Sequence, residues 1–209
     1  MLNWKHALLI ASAVSVALPM AEAVAQQGLD LLTEPMELEI GKEHTTILLS
    51  WNHSGFSTST AVIRDFEGMV HLDPANIENS SVHVTMDIGS LDTFFQGRTD
   101  SLQSERFFNV AQFPEATFES TEVVKTGDTT ADVKGNLTLL GMSYPLTLAT
   151  TFNKAGDNMG AFIVGFDATA TIARADYGLT DLATAVGTDV TIHVSTELIR
   201  PAAEAPAAN

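Results

Sequence analysis

An all-β fold, an eight-stranded antiparallel barrel, is what three features of the sequence predict. Apolar and polar residues alternate with a period of two along seven or eight separate stretches, the mark of strands with one dry face. Turn residues divide those stretches at hairpin spacing, and no stretch carries a strong helical period. A sheet of that kind usually removes its edges by closing on itself. The strands fall within residues 36–200, roughly 165 residues, which can bury a core without cross-links. The chain has no Cys, so disulfides, thiol catalysis and thiolate metal sites are excluded together.

Residues 1–25 read as an export signal. Lys5 supplies the positive start, Ala7 to Leu18 the apolar run, and Ala23-Val24-Ala25 a small-residue cleavage site, with cleavage after Ala25 and before Gln26. The apolar run stops at Pro19, too short to cross a bilayer, and no later segment approaches 18 apolar residues, so no membrane span is expected. Residues 26–35 read as a linker, and residues 201–209, rich in Ala and Pro, as a disordered tail with no core to join. Ten Lys and Arg against 26 Asp and Glu leave a net charge of -16. That charge repels nucleic acid, which is therefore not an expected partner, and reads as a solvated acidic surface.

From Met36 the alternation begins. Ile47, Leu49 and Trp51 share one face, and Thr46, Leu48 and Ser50 the other. His44 and His53 are nine residues apart, face opposite ways, and read as hydrogen-bonded strand ends. Val62, Arg64, Phe66, Gly68, Val70 and Leu72 continue the pattern up to an Asp73-Pro74 turn, and Val82, Val84, Met86 and Ile88 return. A loop centred near Ile77 sets Leu72 opposite Val82 inside and His71 opposite His83 outside. With only Glu67, Asp87 or water to complete a coordination shell, that His pair falls short of the three or four ligands a metal site needs, and no metal is expected.

Residues 90–112 break the two-residue period and read as a long, partly helical loop folded back on the barrel. Its Phe94, Phe95, Leu102, Phe107, Phe108 and, just beyond it, Phe113 would cap the core or form a lid. Ala116 to Val124 is a strand, Gly127-Asp128 a turn, and residues 131–152 a hairpin. Pairing 140 with 143 sets Leu137 opposite Leu146 and Leu139 opposite Tyr144, with Gly141 taking the positive φ of the turn. Pro145 donates no N–H, so it belongs at the start of the returning strand, or the loop is wider than two residues. Phe162, Val164, Phe166, Ala168 and Ala170 then line a wall of roughly 40 Å, or about 30 Å of barrel height once tilted. Arg174 and Asp176 are two residues apart, which suggests a salt bridge pinning the turn. Val190, Ile192 and Val194 complete the set.

The inward face so assembled is Ile47, Leu49, Trp51, Phe66, Val82, Val84, Met86, Ile88, Phe118, Leu137, Leu139, Leu146, Leu148, Phe162, Val164, Phe166 and Ile192, with Arg64 the ionisable exception. General acid–base work needs ionisable groups in reach of one another, nucleophilic catalysis an activated side chain, and a phosphate cradle a Gly-rich loop before a helix. None is visible. Ser54, Ser57 and Ser59 neighbour His53 along one strand, the wrong arrangement for a triad assembled from separate elements. No catalytic residue and no required cofactor are expected. An apolar interior suits a long hydrocarbon chain, at about 0.8 kcal/mol per buried CH₂ before the cost of ordering.

Gly135-Asn136-Leu137-Thr138-Leu139-Leu140-Gly141-Met142-Ser143-Tyr144-Pro145-Leu146 resembles the G-x-L-T-[LI]-x-G-x-[ST]-x-P-[LV] segment of the YceI-like family. His53 to Ser57, Asp73-Pro74, Ile88 to Thr93, Phe107 to Asn109, Phe113-Pro114, Phe118 to Thr121 and Arg174 to Gly178 resemble its other blocks in order, so the likeness spans residues 44–197. It implies a periplasmic, lipocalin-like barrel that binds a polyisoprenoid lipid, with an isoprenoid or quinone-type lipid as partner. A homodimer is left open. Where the family reads R-D-x-H-L, this chain has Arg98-Thr99-Asp100-Ser101-Leu102, with Ser101 at the histidine position and the acid displaced to Asp100. Two other readings stand beside the carrier. One is a structural or interaction module whose barrel is filled by its own side chains; the other is a metal- or quinone-dependent stress enzyme.

Overall fold

The computed structural model describes residues 28–182 and 185–201. The export signal with its cleavage point and residues 202–209 of the tail lie outside the described residues. Eleven strand segments form one antiparallel sheet: β1 (Met36–Ile40), β2 (Thr46–His53), β3 (Ser57–Ile63), β4 (Phe66–Leu72), β5 (Ser81–Asp87), β6 (Leu91–Asp92), β7 (Glu115–Lys125), β8 (Thr130–Leu139), β9 (Met142–Asn158), β10 (Ala161–Ala173) and β11 (Asp189–Ile199). Helix α1 (Gln96–Gln103) follows β6.

These eleven segments build eight walls. Both β1 and β2 run antiparallel to β11, β2 on Thr191–Ser195 and β1 on Leu198–Ile199. Both β3 and β4 return beside them, and β6 and β5 follow, so three walls are each one strand broken midway. With β7, β8, β9, β10 and β11 the count is eight, and the β1–β11 pairing closes the ring. The breaks fall at one level. There the Ser90 hydroxyl accepts from the backbone N–H groups of Arg64 and Asp65 at 3.1 and 2.9 Å and donates to the Asp87 carbonyl at 2.6 Å. Lys42 Nζ reaches Asp65 at 2.7 Å, and Gly41 N–H donates to the Glu197 carbonyl at 2.8 Å. Groups freed by each interruption are thus satisfied locally rather than orphaned.

Each break also reverses which parity faces inward. Below it Leu38 is buried and above it Ile47; above it Ala61 and Ile63 are buried and below it Phe66, Val70 and Leu72. The continuous alternation through Arg64 expected from sequence is therefore corrected. Arg64 lies just past the reversal, points to solvent, and pairs with Asp92 through Nε and Nη2 at 2.9 and 2.6 Å. Val62 faces outward opposite Asp92 as well.

Two registers differ from the sequence reading by two residues. In the β4–β5 hairpin Val70 is opposite Val82, and His71 is opposite Ser81 rather than His83. His71 Nδ1 instead sits 2.7 Å from Glu37 Oε1, and His83 pairs with Glu119. The turn is centred on Asn76 rather than Ile77, and Asp73 gathers it: its carboxylate accepts from Ala75 N, Asn76 N and Asn79 Nδ2 at 3.1, 3.0 and 3.1 Å. Those donors, led by the Asn76 N–H, hold the Asp73 carboxyl below its ordinary pKa. A depressed carboxylate stabilises the fold above its unfolded pKa, and that contribution disappears as pH falls through the lower folded value. Asp73→Asn is therefore expected to flatten the acid limb of the stability profile below about pH 4. An unchanged acid limb in denaturant titrations would refute this role.

In the β8–β9 hairpin the turn is only two residues, Leu140 (φ 54) and Gly141 (φ 73), so Leu139 meets Met142 and Leu137 meets Tyr144. Two successive positive φ values make a type I′ turn, whose twist matches that of the strands. Pairs alternate up the ladder from a hydrogen-bonded closing pair, so Pro145, opposite Asn136, directs its missing N–H away from β8. On that side β10 pairs β9 only from Ala149 onward, and Pro145 deprives no partner. Position 135 is a glycine because a Cβ there would run into the Glu119 carbonyl oxygen and lie 2.7 Å from the Phe118 ring. Leu29 and Leu32, within the stretch read as a linker, lie against the lower core.

Candidate functional site

Side chains leave two neighbouring chambers inside the barrel. The upper, of about 350 Å³, lies above the strand breaks; the lower, of about 180 Å³, lies below them. Ile47, Met86, Leu137 and Ile192 border both and form the waist between them. The base of the barrel is filled, with Leu38 and Val164 fully buried and Phe152 edge-on, at 5.7 Å between ring centres, to Phe166, which with Leu198 borders the lower chamber. Native interiors hold few voids larger than a water, so spaces of this size are a property of the design rather than slack in packing.

Fourteen of the seventeen side chains expected to face the interior border these chambers. Leu49, Trp51, Ile88 and Leu139 line the upper one; Val82, Val84, Phe118, Leu146, Leu148 and Phe166 the lower; the waist supplies the other four. The remaining three point inward but touch neither space. Phe66 is buried in the central cluster, Val164 in the basal one, and Phe162 packs at the base beneath the Arg200 guanidinium, 5.0 Å from its ring centre. The lower chamber presents only apolar atoms.

The upper chamber differs in its walls and its chemistry. Among the described residues no strand pairs with the outer edge of β3 above Val62, because β6 is two residues long and β7 begins only at Glu115. Helix α1, the loop that follows it and the β10–β11 connection close that half, contributing Arg98, Leu102, Phe107, Phe108, Arg174 and Leu182. Phe107 and Phe108 line the chamber beneath the loop, whereas Phe94 and Phe95 are 64% and 68% exposed, so the aromatic segment divides into a cap and an outer surface. Phe56, at the β2–β3 turn of the same end, is 90% exposed.

Arg174 is the largest departure from the sequence reading. It makes no ion pair with Asp176. Its side chain is buried, with Nη1 donating to the Val186 and Gly187 carbonyls at 3.3 and 3.2 Å and Nη2 to the Asp181 carbonyl at 2.9 Å. Burial lowers its pKa from the ordinary arginine value, partly opposed by the nearby Asp181 charge. The Asp181 carboxylate is itself taken by Arg106, which ties the loop after α1 to the β10–β11 connection across the top. Arg98 reaches in from α1: Nη2 donates to the Thr93 carbonyl at 2.7 Å, while Nε is buried with no hydrogen-bond partner. Ser101, at the family's histidine position, borders the same chamber, and Asp100 faces outward and accepts from Gln96 Nε2 at 2.7 Å.

An up-and-down eight-stranded barrel around a capped apolar cavity defines a lipocalin-like barrel. Within that class the chain belongs to the YceI-like domain family, whose sequence profile matches residues 38–198. A UPF0312 protein of Ectopseudomonas mendocina is 38% identical over 139 residues, covering 66% of this chain and 73% of the relative. One from Enterobacter sp. (strain 638) is 38% identical over 147 residues, covering 69% and 76%. Among solved structures, Burkholderia cenocepacia BcnA superposes with a TM-score of 0.67 at 21% identity, over 78% of this chain and 99% of that one. A polyisoprenoid binding domain from Saccharophagus degradans, implicated in plant cell wall breakdown, superposes with a TM-score of 0.60 at 14% identity, over 80% of this chain and all of that one.

Proposed function

We propose that this protein is an exported, periplasmic carrier or scavenger that holds one long isoprenoid or quinone-type chain in the barrel and performs no chemistry on it. The observation that carries the reading is a pair of largely apolar chambers stacked along the barrel, which share Ile47, Met86, Leu137 and Ile192 as bordering side chains. Residual cavity costs about 24 cal/mol per Å³ of stability, so the lower chamber alone, about 180 Å³, costs about 4 kcal/mol. A bound chain recovers that energy; a barrel acting only as a structural module gains nothing from leaving it unfilled. The polyisoprenoid named for the S. degradans domain is a chain of the kind the space would take. Against an enzymatic reading, the side chains that border the chambers include no carboxylate to act with His53, and among the described residues no cluster of three or more His, Asp or Glu could hold a metal.

Native and intact mass spectrometry of protein recovered from its host tests both halves of the proposal. The expected result is a chain beginning at Gln26 that carries a lipid adduct of discrete mass, released by organic solvent. Retention of Met1 would overturn the export; adduct-free protein that also fails to take up a polyprenyl probe would overturn the carrier.

A further inference from the structure

The upper chamber has the wrong charge for this protein. Acidic residues outnumber basic ones 26 to 10 in the sequence, yet among the described residues no Asp or Glu borders the chamber, and two of the five arginines do. The other three are accounted for elsewhere: Arg64 by Asp92, Arg106 by Asp181, and Arg200 by the Phe162 ring. Neither Arg98 nor Arg174 forms an ion pair with a carboxylate among the described residues. The carboxylates nearest in the fold are committed or turned away, Asp92 to Arg64, Asp181 to Arg106, Asp100 to Gln96, with Asp176 exposed. Arg174 is satisfied by carbonyls, which compensate its hydrogen bonds but not its charge. The Nε of Arg98 is not satisfied at all.

Arg174 is buried and Arg98 half-buried, and guanidinium charge held against an apolar cavity with no carboxylate beside it is expensive unless an anion completes the site. Ser59 on β3, itself buried, and Ser101 on α1 add hydroxyl groups to the border of the same chamber. Directly below, the lower chamber offers only apolar atoms. An amphiphile therefore has one favourable orientation, with its polar end among the arginines and its chain through the waist.

Resting on the carrier reading above, we infer that the upper chamber is an oxyanion site. It selects chains that end in a carboxylate or phosphate over chains that end in an alcohol, with Arg98 as the group that makes the selection. Arg174 supplies fixed positive charge while holding the β10–β11 connection. Charge-assisted hydrogen bonds from guanidinium to an oxyanion are about twice as strong as neutral ones, which sets the scale of the preference.

The test uses two ligands with the same tail, farnesyl phosphate and farnesol, competed against a fluorescent prenyl probe on the mature protein. The phosphate is expected to bind about tenfold or more tightly than the alcohol, and the ratio to collapse toward one in Arg98→Gln. Farnesoic acid run beside them identifies which oxyanion is preferred, and either preference supports the site. Equal binding of phosphate and alcohol by the wild type overturns the oxyanion site and leaves the carrier standing. Failure of all three to displace or occupy the barrel overturns both. An undiminished ratio in a folded Arg98→Gln protein removes Arg98 from the site.

Discussion

Leu148→Trp is expected to reduce uptake of a long polyprenyl probe by tenfold or more while leaving the melting temperature of the lipid-free protein unchanged or slightly raised. Leu148 stands opposite Val133 on β9 and borders the lower chamber. An indole there would occupy space that the chain's tail needs, and would bury apolar surface without displacing a neighbour. If the interior were close-packed, the same substitution would overpack it at about 1 to 3 kcal/mol. At roughly 2 to 4 °C per kcal/mol for a domain of this size, that is a clear fall in melting temperature. A wild type that never takes up the probe, combined with such a fall in the variant, would sink the carrier. Lost uptake with intact melting is the signature of a blocked tunnel.

Arg174→Met should have the largest effect on stability of any single change at the upper end. It keeps an unbranched apolar stem and removes the donors that satisfy the carbonyls of Asp181, Val186 and Gly187. Each of those groups then loses a charge-assisted partner, and those that remain shielded from water carry the cost of an unmade hydrogen bond. Because the connection can relax partly into solvent, the expected loss is about 2 to 4 kcal/mol, a fall of about 5 to 15 °C in melting temperature. A change under about 2 °C in calorimetry would show that the clamp contributes little.

The fold was legible in the sequence because most of it obeys one rule. Where a strand is continuous, as β10 is from Ala161 to Ala173, alternation assigned the inward residues correctly, and Val164, Ala168 and Ala170 are all buried. Where the chain departs from the rule, the reading slipped by a definite amount. Arg64 was assigned inward because nothing in residues 62–72 announces that the parity reverses between Ile63 and Phe66. The two hairpin registers differ by two residues because turn position depends on local detail, the hydrogen bonds of the Asp73 carboxylate in one case and the positive φ of Leu140 and Gly141 in the other. Two positions in an antiparallel ladder keep every side chain on its own face, so these slips changed partners and not the interior.

The polar half of the site was harder to see. Arg174 looks like half of an ion pair with Asp176 when only neighbours in sequence are considered. Its true partners, seven to thirteen residues away, are main-chain carbonyls, which no side-chain pattern records. Arg98 lay in a segment read as a lid without an assigned direction for any of its side chains. The one available signal was scarcity: with five arginines among 209 residues, each one not matched to a nearby acid was worth following.

The three aligned strand breaks divide the barrel's sequence into two independent reading frames. Below the breaks the ring fixes inside and outside for one set of residues; above them the phase is set afresh, and the cap need not agree with the base about which parity is apolar. A one-residue insertion in an uninterrupted strand would turn its whole length inside out. At Gly41–Thr45, Arg64–Asp65 or Ile88–Ser90 the same insertion falls where the phase already changes and the freed backbone groups already have local partners. The upper end of the barrel can thus vary in length and composition without disturbing the phase of the lower end.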